Sequence, residues 1–246
     1  MWGCEVALQL TFGSLFAGIG GFDLGFERAG MRCVWQVEID PFCQRVLAKH
    51  WPNVRRWDDV RTFPPEPTED WTCDVICGGF PCQDVSLAGN RAGLAGRRSG
   101  LWSEIVRCVR VVRPRFVVVE NVAALLGNGM GRVLGDLAAV GYDAEWVCLP
   151  ASAFGAWHHR DRVFVISQPA DVRDADRFSA ELVTSNGLGE FTAASSSWWE
   201  SEPGMGRVAD GFPGRVDRLR GLGNAVVPQV AQWIGERLME ATRGNS

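Results

Sequence analysis

Apolar and polar positions along this chain fall into blocks that switch between two periods. Short apolar runs bounded by turn residues predict buried strands, and apolar positions three and four apart predict helices. Leu8 to Leu15 reads as a first strand, closed by the turn Gly18-Ile19-Gly20-Gly21, with a helix from Phe22 to Ala29. Cys33 to Val37 reads as a second strand, after which Pro41 opens a helix to His50, since proline is tolerated at a first helical position. Asp74 to Cys77 is a short strand, and Leu101 to Val112 a helix that Pro114 stops. Phe116 to Val119 is wholly apolar, as a central parallel strand requires. Met130 to Ala139 is helical, and Trp146 to Leu149 and Val163 to Ser167 are strands. This alternation predicts a doubly wound, mostly parallel α/β sheet.

The pattern then fails. Gln168 to Val216 has little periodicity and holds Ser195-Ser196-Ser197 and Trp198-Trp199, a tryptophan pair that could stack or pack. Regularity returns at Leu219, and Pro228 to Glu240 reads as a terminal helix. The expected organisation is a catalytic domain over 8–167, a small irregular region over 168–216, and a C-terminal segment over 217–246 that returns to the first domain.

Bulk properties narrow the class. A chain of 246 residues, 46% hydrophobic, can bury one ordinary core. No apolar run reaches a membrane span, and Glu5 with no basic stretch around it does not read as a signal peptide, so a cytoplasmic protein is expected. Eight cysteines without a Cys-x-x-Cys pair or a histidine cluster read as reduced and mostly buried, Cys33, Cys108 and Cys148 among them, with no metal site. The net charge of −4 argues mildly against a nucleic-acid partner. Local charge says otherwise: Arg91, Arg97 and Arg98, then Arg160 and Arg162, then Arg215, Arg218 and Arg220 are grouped. Lys49 is the only lysine, and arginine is the better fork-shaped ligand for phosphate, although a codon preference would produce the same bias.

Chemistry-bearing residues follow the predicted strands. After the first comes Phe16-Ala17-Gly18-Ile19-Gly20-Gly21, whose glycines let backbone approach a ligand before a helix begins, a turn that dinucleotide-binding enzymes share in part. After the second comes Glu38, placed to accept hydrogen bonds from ribose hydroxyls or to sit at a helix start. Asp58-Asp59-Val60 adds further acids. Then come Gly78-Gly79-Phe80-Pro81-Cys82-Gln83, a cysteine past a strand, and Glu120-Asn121-Val122, a carboxyl group past another. His158-His159-Arg160-Asp161-Arg162 and Arg218-Leu219-Arg220-Gly221-Leu222-Gly223-Asn224-Ala225-Val226-Val227-Pro228 complete the set. The adjacent histidines point apart and lack a third ligand, which disfavours a metal.

These segments, in this order, resemble the DNA (cytosine-5) methyltransferases, including the short bacterial and phage members. The resemblance implies a Rossmann-like sheet that binds S-adenosylmethionine and releases S-adenosylhomocysteine. It implies transfer of a methyl group to carbon 5 of a flipped-out cytosine in duplex DNA. By that resemblance Cys82 is the nucleophile at carbon 6, Glu120 contacts ring nitrogen 3 and the 4-amino group, and Arg162 reaches the 2-oxo group. Arg160 holds phosphate or structure, and His158 stands where the family has glutamine. Phe16, Gly18, Gly20, Glu38, Asp59, Pro81, Leu101, Asn224 and Val226 are the implied cofactor contacts. Gln83, Ser86, Arg91, Arg97 and Arg98 belong to a loop that closes over the target and grips DNA. The family expectation is a monomer acting on DNA, with or without a cognate restriction endonuclease. One branch of the same scaffold modifies tRNA, and a copy that binds nucleic acid without catalysis is a further alternative.

Overall fold

The computed structural model describes residues 9–64, 70–80, 100–172 and 215–243. Seven strands form one sheet: β1 (Thr11–Leu15), β2 (Arg32–Val37), β3 (Arg55–Trp57), β4 (Val75–Gly79), β5 (Phe116–Val122), β6 (Tyr142–Pro150) and β7 (Asp161–Pro169). Their spatial order is β3-β2-β1-β4-β5-β7-β6. The pairs from β3 through β5 are parallel, whereas β7 runs antiparallel to both β5 and β6. The doubly wound, mostly parallel expectation is met.

The helices are α1 (Gly21–Arg28), α2 (Pro41–His50), α3 (Gly100–Val112), α4 (Met130–Ala139), α5 (Arg215–Asn224) and α6 (Pro228–Arg243). Proline opens α2 as expected, and Asp40 caps it, its Oδ1 accepting from the Phe42 and Cys43 amides at 2.8 and 3.1 Å. Two apolar layers cover the sheet, and the strands feed them with period two. In β5, Val117 and Val119 face the layer with Trp102, Ile105 and Val109 of α3 and Val133 and Leu137 of α4. Phe116 and Val118 face the layer with Phe22 and Phe26 of α1 and Trp233, Ile234 and Leu238 of α6. Helices α1 and α6 meet through small residues: a Cβ on Gly25 would stand 2.5 Å from that of Ala231, and one on Gly235 would stand 2.8 Å from that of Ala29.

Four features depart from the expected pattern. Strand β3, Arg-Arg-Trp, has no apolar run to reveal it and exists because β2 offers an edge. Strand β6 begins at Tyr142 rather than Trp146, since polar Asp143 and Glu145 are tolerated on an edge strand. Helix α5 begins at Arg215, where Gly221, Gly223 and a charged face weaken the helical signal. Cys148 is exposed rather than buried, because it lies on that same edge strand; Cys33, Cys43, Cys77 and Cys108 are buried. Among the described residues no helix is long and apolar enough to cross a membrane. Most of the 168–216 region lies outside the described residues.

Candidate active site

Strand order reverses direction at β1, whose neighbours β2 and β4 lead to opposite halves of the sheet. Such switch points leave a crevice beyond the carboxyl ends of the strands. A cleft of about 620 Å³ occupies this place. Its wall includes Phe16, Gly18, Glu38, Asp59, Leu101, Glu120, Arg162, Asn224 and Val226. Nine residues, from Phe16 to Val226 in the chain, are thereby brought to one site.

The turn after β1 is unusual in its backbone. Phe16, Gly18 and Gly20 all adopt positive φ, at 53°, 58° and 88°. For phenylalanine that conformation is uncommon and marks a locally strained site. Gly20 also has no room for a side chain, since a Cβ would approach the Trp51 ring to 2.5 Å. The turn aims the Gly18 amide at the carboxylate after β2. Glu38 accepts from the Gly18 amide at 2.7 Å through Oε2 and from the Asp40 amide at 2.8 Å through Oε1. Burial pushes its carboxyl above the ordinary range, and the two amides pull it back. Each oxygen retains a lone pair for a ligand hydroxyl. Asp59 caps the short turn Val60–Thr62, accepting from the Arg61 amide at 3.0 Å, and lies beside the Arg61 guanidinium at 3.3 Å. Its neighbour Asp58 also lines the cleft and accepts from Gln44 at 3.0 Å.

Ile39 was not among the expected contacts. It is 62% exposed and lines the cleft next to Glu38. An exposed isoleucine directly after a strand-end acid was the available signal.

On the opposite wall β5 continues past the apolar run to Val122, so Glu120 lies within the strand, paired with Phe164 of β7. The antiparallel partner extends the ladder through residues whose polarity had suggested a loop. Glu120 is 9% exposed and meets Arg162, with Nε to Oε1 at 2.8 Å. Burial raises the Glu120 carboxyl, against which Arg162 and then Arg160 act. Burial and the facing cation thus act on this acid in opposite directions. Gly79 makes room for it: a Cβ there would stand 2.9 Å from Glu120 Oε2. Asn121 donates to the Phe80 carbonyl at 3.3 Å, and its Oδ1 accepts from the Val122 amide at 2.8 Å. It thus fixes the end of β4 two residues before Cys82. Pro81, Cys82, Gln83, Ser86, Arg91, Arg97 and Arg98 lie outside the described residues.

Arg160 donates to two backbone carbonyls, those of Gly223 at 2.7 Å and Ala225 at 2.8 Å. Of the two roles left open by the residues, this contact favours structure over phosphate. Val226 is buried against the glycine turn after β1: a Cβ on Gly21 would reach the Val226 carbonyl oxygen at 2.3 Å. Asn224 is exposed on the cleft wall. Among the described residues no cluster of His, Cys, Asp and Glu could hold a metal ion.

A profile of the family described as C-5 cytosine-specific DNA methylase matches residues 10–190. The chain belongs to that family. Type II methyltransferase M.HgiCII of Herpetosiphon aurantiacus is 35% identical over 165 residues, which are 64% of this chain and 37% of that protein. Type II methyltransferase M.BanI of Aneurinibacillus aneurinilyticus is 29% identical over 263 aligned positions, covering 97% of this chain and 58% of that protein. The chain therefore spans about two fifths to three fifths of the length of these family members. Among solved structures, the methyltransferase EhMeth of Entamoeba histolytica superposes with a TM-score of 0.67 at 12% identity. The match covers 96% of this chain and 99% of that one, a likeness of fold.

Proposed function

We propose that this protein is a DNA (cytosine-5) methyltransferase that uses S-adenosylmethionine. The observation that carries the reading is the buried Glu120–Arg162 pair, 2.8 Å apart, on the wall of a cleft whose other side is the positive-φ turn of a family member. The cleft suits the cofactor in volume and in acceptors: Glu38 would accept from the hydroxyls of a diol, and Phe16 and Ile39 provide apolar surface for a flat ring. When bound, S-adenosylmethionine supplies an electrophilic methyl group.

The chain's own residues make cytosine able to accept it. Carbon 5 of cytosine is not nucleophilic enough by itself. The Cys82 thiolate adds to carbon 6, forming a carbon–sulfur bond, and the displaced ring electrons are drawn towards nitrogen 3. Glu120 holds the proton that this nitrogen takes, and Arg162 binds the 2-oxo group and keeps Glu120 in place. Carbon 5 is now enamine-like and takes the methyl group. A base then removes the carbon-5 proton, the carbon–sulfur bond breaks to restore the thiolate, and nitrogen 3 returns its proton to Glu120. This attack requires access to the face of the ring, so the cytosine leaves the stack. Gln83, Ser86, Arg91, Arg97 and Arg98 would close over it and hold phosphates, and the 168–216 region would read the flanking bases. The protein would act alone in the cytoplasm of a bacterial or phage-infected cell, with or without a restriction partner.

The test is transfer of labelled methyl from S-adenosylmethionine to mixed-sequence duplex DNA, with tRNA in parallel and Cys82→Ala as control. Label on DNA at carbon 5, lost by at least a thousandfold in Cys82→Ala, supports the proposal. Label on tRNA alone reassigns the substrate, and undiminished turnover in Cys82→Ala refutes the covalent route. DNA carrying 5-fluorocytosine should trap an adduct on Cys82, because fluorine cannot leave as a proton.

A further inference from the structure

Arg160 does not line the cleft itself, yet it bonds to lining residues of one wall and lies beside the acid and cation of the other. Its main chain is held on either side: the His159 carbonyl accepts from the Ala151 amide at 2.7 Å, and Asp161 pairs with Pro150 at the end of the β6–β7 ladder. Between these anchors Arg160 adopts φ 40°, in the left-handed region that side chains rarely enter. A strained residue held between two fixed points turns its side chain in one direction.

That direction is the end of α5. Helix α5 finishes at Asn224, and its last carbonyls have no partner within the helix. The Arg160 Nη2 donates to Gly223 and Ala225 at 2.7 and 2.8 Å, so a cation caps the negative end of the helix. The capped segment is pressed on the cofactor turn. A Cβ on Gly221 would meet Ile19 at 3.0 Å, and one on Gly21 would meet the Val226 amide nitrogen at the same distance. On its other side Arg160 lies beside Glu120 and Arg162: burial lowers its basicity, Arg162 lowers it further, and Glu120 opposes both.

We infer that Arg160 is a positioning residue that fastens the Asn224–Val226 segment to the start of β7, and so links cofactor affinity to the geometry of Glu120 and Arg162. It holds the far wall of the cofactor cleft from the target side, and it does not bind DNA phosphate. The inference rests on the cleft being the S-adenosylmethionine site.

The experiment is calorimetric titration of S-adenosylmethionine into the DNA-free full chain, wild type against Arg160→Ala and Arg160→Lys. Duplex binding is then measured as a function of salt. Loss of two charge-assisted bonds should weaken cofactor binding about tenfold or more in Arg160→Ala. Lysine cannot span both carbonyls with a planar fork, so Arg160→Lys should recover part of the loss and remain about threefold weaker than wild type. The salt slope of DNA binding should not change. Unweakened cofactor binding in Arg160→Lys overturns the assignment even where Arg160→Ala does not fold. So does a salt slope shallower by about one, the signature of a lost phosphate contact. A wild-type chain that fails to bind the cofactor overturns the function proposed for the cleft instead.

Discussion

On the β1–β2 side of the cleft, main-chain groups dominate: three positive-φ residues turn the backbone, and two amides hold Glu38. On the β5–β7 side, the arrangement is one ion pair between side chains, Glu120 and Arg162, set into a regular ladder. Backbone geometry survives many substitutions of neighbouring side chains, and suits a cofactor that is the same in every turnover. A buried pair is a balance of large opposing terms, since desolvation offsets most of the attraction. It suits a step in which a proton must be held and then given up. The difference teaches that one cleft can combine a rigid receptor with a titratable one, provided different elements carry each.

Three changes would break or sharpen this contrast. The largest effect is expected from Glu120→Gln, which keeps the shape of the side chain and removes its proton chemistry. It should lower kcat by about 100- to 10,000-fold with cofactor affinity nearly unchanged. Wild-type kcat/KM should fall as pH rises through the raised carboxyl value of Glu120, and the glutamine variant should lose that limb. A single-turnover pH profile checks both points, and an equal loss of cofactor affinity would erase the proposed division.

The second concerns Asp23, fully buried in α1 just after the positive-φ turn. It accepts from Ser14 at 3.1 Å and Gln36 at 2.8 Å, and burial raises it from 3.8 to about 6. A raised acid binds its proton more tightly in the folded state. Its stabilising contribution is thus full below pH 4 and is lost as pH rises through about 6. The swing is about 3 kcal/mol. Urea unfolding from pH 4 to 7 should show the stability difference between wild type and Asp23→Asn moving in favour of asparagine as pH rises. A constant difference would mean that the buried carboxyl does not titrate in this window.

The smallest effect is expected from Glu38→Ala. Removing one acceptor of a diol should raise the cofactor KM about tenfold, with kcat within about threefold of wild type. Loss confined to kcat would move Glu38 from the cofactor side to the chemistry.

Much of this was legible in the linear order of residues. The apolar period of β5, the proline that opens α2 and the turn at Gly18–Gly20 are local signals, each decided by neighbours a few positions away. That Glu38, Glu120 and Arg162 reach the cleft was legible in part for the same reason, since Glu38 and Glu120 directly follow strand signals and Arg162 directly precedes one. Strand β3 and helix α5 were not, because an edge strand needs only a partner and a polar helix only a surface to lie on. Ile39 was passed over because an exposed apolar residue looks like noise until a cleft is seen beside it.

What the chain determined by itself is the sheet, its parallel core and the set of groups carried to the strand ends, because period and polarity act over short distances. What only the tertiary structure decided is which groups meet. Glu120 faces Arg162 because β7 turns back antiparallel onto β5. Gly79 must be bare because that carboxyl leans over it, and Arg160 finds two carbonyls more than sixty positions away at the end of α5. Contacts of that kind have no local signature, since they depend on the packing of elements that the sequence names one at a time.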